Sequence, residues 1–120
     1  MILNPIKLFL SVLLVANLAT AQQQFNPEKV SEAALNLTKQ QVVYDGSYYS
    51  IPYPNGDVPE GIGVCTDVVI RTYRANGIDL QKEVHEDMTE HFELYPKIWG
   101  LTKPDSNIDH RRVPNLMTYF

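Results

Sequence analysis

Gly61-Ile62-Gly63-Val64-Cys65-Thr66-Asp67-Val68-Val69-Ile70-Arg71-Thr72-Tyr73-Arg74-Ala75-Asn76-Gly77 passes from a glycine-bearing run straight into a helical pattern. Cys65, Val68, Val69, Thr72 and Tyr73 recur on one helical face, while Asp67, Arg71 and Arg74 fall off it. Asp67 and Arg71 make a favourable i,i+4 pair, and Asn76-Gly77 is the left-handed stop that ends many helices. The stretch predicts a helix from Val64 to Asn76 with Cys65 in its first turn. Unpaired amides and the helix dipole at that end stabilise a thiolate, and the same amides suit an oxyanion formed during acyl transfer. Cys65 also sits on the apolar stripe, so a buried, inert cysteine explains the position equally well at this point.

Downstream, Asp79 is a plausible cap for a helix to about Glu93 with Leu80, Val84, Met88 and Phe92 inward. Tyr95-Pro96 breaks it. A turn-rich stretch through Trp99-Gly100, Pro104-Asp105 and Asn107 leads to His110-Arg111-Arg112, and Pro114 opens a last helix to Phe120. Upstream, Tyr44, Tyr48, Tyr49 and Tyr53 alternate with Pro52, Pro54 and Pro59 and with Gly46, Gly56 and Gly61. Such a segment reads as an ordered loop with a short extended piece around Tyr48 to Tyr53, its tyrosines packing it onto the body. Asn26 caps a further helix that has Pro27 first and runs to about Gln41.

At the start, Lys7, an apolar run from Leu8 through Leu18 and Ala19-Thr20-Ala21 make the charge, apolar core and small-residue site of a cleaved export signal. The run is about half the roughly 20 residues a spanning helix needs. The organisation expected is residues 1–21 as signal peptide, 22–41 as leader and first helix, and 42–120 as the domain proper. Removing 1–21 removes Lys7 and no acidic residue, leaving nine Lys plus Arg against fourteen Asp plus Glu and a formal charge of −5. That balance excludes the basic face of a nucleic-acid binder. The expected setting is the periplasm or the outside of the cell, with no stable membrane span once the signal is gone.

Exported domains of this size are often stapled by paired cysteines, but Cys65 is the one cysteine in the chain. A nucleophilic thiol needs a base, most often histidine. His85 and His91 lie on a charged helix six residues apart, on different faces, which is not the i,i+4 spacing of a zinc helix. His110 sits in the polar cluster Asn107-Ile108-Asp109-His110-Arg111-Arg112. The paired arginines suit a substrate carboxylate or phosphate, or else acidic groups of the protein itself.

Gly63 through Arg71, Gly77-Ile78-Asp79-Leu80-Gln81, Val84-His85-Glu86-Asp87-Met88 and Asn107 through Leu116 together closely resemble the bacterial family catalogued as domain of unknown function 1287. The resemblance covers roughly residues 42–120. That family is similar to the NlpC-type, papain-like cysteine peptidases, which cut peptide or amide bonds of cell-wall peptides. The resemblance implies an α+β, truncated papain-like fold, here mainly helices and loops with little or no sheet. It makes Cys65 the nucleophile and His110, Arg111, Arg112 and Asp67 site-shaping or substrate-binding residues, with no cofactor and no metal. It puts the base histidine in a strand later than the position of Phe120, so that the chain corresponds to the amino-terminal part of an enzyme. Val64-Cys65-Thr66 departs from the Asp-Cys-Ser string of many stem-peptide hydrolases. The expected activity is an exported thiol hydrolase of peptidoglycan peptides, inactive as this fragment. The alternative is a non-catalytic binding or structural piece in which Cys65 packs.

Overall fold

The computed structural model describes residues 24–120, so the expected signal peptide lies outside the described residues. Helix α1 spans Pro27–Leu37, strands β1 and β2 are Val43–Tyr44 and Ile62–Gly63, and helices α2, α3 and α4 span Cys65–Ala75, Leu80–Glu90 and Val113–Tyr119. Two 3-10 turns, Phe92–Leu94 and Asp109–Arg111, punctuate the second half. The described chain is therefore mainly helical. Its sheet is two short parallel strands, with Val43 opposite Ile62 and Tyr44 opposite Gly63.

Helix α1 is shorter than its pattern predicts. Asn26 caps it as expected, accepting from the amides of Glu28 and Lys29. It ends at Leu37 because the β-branched and aromatic run Val42-Val43-Tyr44 gains ladder bonds instead: Val43 N–H donates to Gly61 at 2.8 Å and Asp45 N–H to Gly63 at 3.0 Å. Helix α1 lies on α2, aided by Phe25 against Tyr73 with ring centroids 5.6 Å apart. Helix α3 has the expected cap, Asp79 accepting from Gln81, but stops at Glu90, three residues short. His91 leaves helical geometry there, at φ −130° and ψ 37°.

Val84 and Met88 of α3, Tyr95 and Leu116 of α4 form the buried apolar cluster, flanked by Phe92 and Tyr119. The core faces of α3 and α4 thus meet as their periodicity requires.

The loop between the strands forms no ladder at Tyr48 to Tyr53, where an extended piece was expected. Side chains fix it instead. Tyr48 donates to Asp105 and accepts from Asn107 Nδ2 at 2.7 Å, and Ile51 N–H donates to Asn107 Oδ1 at 2.9 Å. Gln81 is fully buried, accepting from Gly56 N–H at 2.7 Å and donating to the carbonyls of Pro52 and Ser106 at 2.9 and 3.1 Å. A side chain at position 56 would bring a Cβ within 1.9 Å of the Pro52 carbonyl oxygen, so only glycine fits that turn.

Candidate thiol site

Cys65 is the first residue of α2 and is exposed. The stripe that suggested burial is rotated outward at this end, where Val68 is 47% exposed. The buried face of α2 carries Thr66, Asp67, Ile70 and Thr72, so it takes Asp67 from the residues read as lying off the stripe and only Thr72 from the stripe itself. Its displacement follows from what Asp67 binds.

Asp67 does not pair with Arg71. Its carboxylate takes Arg111 in a two-bond fork, Nε to Oδ1 and Nη2 to Oδ2, each 2.9 Å, with the side chains 2% and 3% exposed. Oδ2 also accepts the Val64 amide at 2.7 Å, half of a capping box, since Val64 offers no acceptor in return. A buried carboxylate needs such a full set of donors, which a surface i,i+4 partner cannot supply. Asp67 thereby fixes the corner from which Cys65 projects. Thr66 tightens the same joint by donating its hydroxyl to the Arg111 carbonyl at 2.8 Å.

Arg71 turns the other way, to Asp57, with Nε to Oδ2 at 3.0 Å. Arg74 meets the same carboxylate at 2.8 Å. Burial raises the Asp57 pKa, but the hydrogen bonds and charges of Arg71 and Arg74 outweigh it and hold the carboxyl below its usual range.

Three clefts meet at Cys65. One, of about 410 Å³, is mostly apolar, with Ala34, Leu37, Val42 and Val68 in its walls. A second, of about 440 Å³, is the more polar one and is bounded by Tyr48, Trp99, Arg111 and Arg112. The third, about 390 Å³, is walled by Val69, Val113, Leu116, Met117 and Phe120. The first amides of an α-helix have no intrahelical acceptor, so those of Cys65 and Thr66 are available beside the sulfur.

The other expected residues separate. Arg112 lies with its guanidinium over Trp99, 4.0 Å from the ring centroid, and one Nη reaches Asp109 at 3.3 Å. His110 is 2% exposed, and its Nδ1 has no partner among the described residues. Burial pushes its pKa down to about 4, so the ring is neutral at pH 7. His110 lines none of the three clefts, and neither do His85 and His91. Trp99, Asp57 and Gln81 were not singled out from the sequence as site or scaffold residues. A lone tryptophan beside Gly100 carries no periodic signal that would have placed it under Arg112.

Fold and site define a small, mainly helical domain that presents one exposed thiol at a helix start where an apolar and a cationic cleft converge. The chain belongs to the family described as domain of unknown function (DUF1287), whose model matches residues 31–120. It is 53% identical over 91 residues to a protein of Escherichia coli (strain K12) described as uncharacterized protein YijF. That match covers 76% of this chain and 44% of the relative, so the chain spans less than half of the relative's length. No solved structure matches the chain. Among the described residues, no helix is long and apolar enough to cross a membrane.

Proposed function

We propose that this chain is the nucleophile-bearing part of an exported, NlpC-like thiol hydrolase that acts on peptide or amide bonds, cell-wall peptides being the substrate class. The observation that carries the reading is Cys65, exposed at the first position of α2 on a corner locked by Asp67. A cysteine kept only for packing belongs in the core, whereas a nucleophile must be reachable and held. The sulfur adds to the substrate carbonyl carbon while the amides of Cys65 and Thr66 receive the oxyanion. The C–N bond then breaks, the amine leaves with a proton from the base, and water hydrolyses the thioester. No imidazole among the described residues lines the clefts around Cys65. The papain-like resemblance supplies that base from a later histidine.

The test is alkylation of Cys65 by iodoacetamide at pH 7, in the folded chain and in the same chain unfolded in urea, with Cys65→Ser as background. A reactive site gives a folded-state rate about ten-fold above the unfolded one, in line with thiols activated at helix starts. A folded rate equal to or below the unfolded rate overturns the reading and leaves the clefts as a non-catalytic binding surface.

A further inference from the structure

The two larger clefts beside Cys65 differ in chemistry. In the apolar one the single charged side chain is Arg71, already held by Asp57. In the polar one both charged residues are arginines and no carboxylate lines the wall. Arg111 is spent there: its fork is closed by Asp67, and its remaining Nη points at the Ser47 carbonyl, 3.4 Å away. Arg112 is different. One Nη makes a 3.3 Å bond to Asp109, and among the described residues its other N–H groups have no protein acceptor. The guanidinium carbon lies over the Trp99 ring, 4.0 Å from its centroid, and both side chains line the cleft.

Resting on the proposed thiol chemistry, we infer that Arg112 on its Trp99 shelf is a carboxylate subsite, so the substrate is a peptide carrying a carboxylate on the Arg112 side of the scissile carbonyl and an aliphatic group on the Val42–Val68 side. An arginine held in plane recognises a carboxylate through two parallel N–H bonds, and a lysine in its place cannot.

The subsite is read without any hydrolysis assay. The Cys65 thiolate displaces iodide from either iodoacetate or neutral iodoacetamide, so the ratio of the two rates in the folded chain, divided by that ratio in urea, measures attraction of a carboxylate to the site. That quotient is expected to be about five, the size of one charge-assisted contact at a partly exposed position. Arg112→Gln brings it to about one. Arg112→Lys keeps the charge but loses the fork, and Trp99→Leu keeps the charge but loses the shelf. Each lowers the quotient at least about two-fold. A quotient near one in the wild type, or one that survives Arg112→Gln, overturns the assignment. So does a full quotient in both Arg112→Lys and Trp99→Leu, because diffuse positive potential then accounts for it. The source of the carboxylate is read by protection of Cys65 from iodoacetamide. N-acetylglutamate amide protecting best assigns it to a side chain, N-acetylalanine protecting best assigns it to a chain end, and equal protection by N-acetylalanine amide overturns the subsite. A slow iodoacetamide rate beside a high quotient would reject the hydrolase reading and keep the subsite.

Discussion

Arg111 and Arg112 are neighbours in the chain with the same side chain, and the fold gives them opposite tasks. Arg111 is buried and forked onto Asp67, so its charge is consumed in holding α2 to the 3-10 turn at Asp109–Arg111. Arg112 keeps 17% of its side chain exposed, rests on Trp99 and touches Asp109 through one bond. A dibasic pair therefore says little until burial is known. Where a charge is removed from water it must be fully partnered and becomes scaffold; where it keeps a free edge it can meet a ligand.

The largest expected effect tests the buried half of that contrast. Asp67→Ala strands Arg111 and frees the Val64 amide, and should cost about 3–5 kcal/mol in a urea titration. Replacing both partners, as Asp67→Leu with Arg111→Met, should cost less than Asp67→Ala alone. If Asp67→Ala is as mild as a surface change, the distinction between the two arginines collapses.

His110, which directly precedes them, sets a pH dependence. The unfolded imidazole takes a proton below about 6.5, while the folded one, desolvated, waits until about 4. The unfolded state thus binds more protons in that window, and stability falls as pH drops from about 6.5 toward 4. The loss between pH 7 and pH 4.5 should be about 2 kcal/mol. The raised pKa of Asp109, caused by its burial, works in the opposite sense, so the His110 part is read as the difference between wild type and His110→Gln. A His110→Gln profile as steep as the wild type would show that the acid sensitivity arises elsewhere.

The smallest effect tests the open half. Arg112→Ala removes one long ion pair and one stacking contact, and the unfolding free energy from a urea titration should fall by no more than about 1 kcal/mol. A loss comparable to that of Asp67→Ala would make Arg112 scaffold as well.

How much of this was legible in the sequence depends on whether the signal was local. Helix starts were, because Asn26 and Asp79 cap their own following amides. Helix ends were less so: α1 yields to β1, whose partner is 19 residues away in Ile62, and no local pattern encodes that competition. The placement of Cys65 in the first turn of α2 was readable from the glycine run and the periodicity. Its exposure was not, since the orientation of α2 is decided by an Asp67–Arg111 contact across 44 residues. The local rule that paired Asp67 with Arg71 was sound for an isolated helix and lost to a partner that burial favours. The sequence named Arg111 and Arg112 together as site-shaping or substrate-binding residues, and the Trp99 shelf that distinguishes the two exists only in three dimensions.

The Gly56 amide lies in a coil between two strands of two residues each, yet its hydrogen bond ends on the buried oxygen of Gln81, a residue of α3. In hydrogen exchange it is expected to be protected like a core amide. An exchange rate at Gly56 equal to that of the α3 amides would show that the loop bearing Tyr48 and Ser47 and the helix beneath it come apart together, and a faster one that the loop lifts off an intact helix.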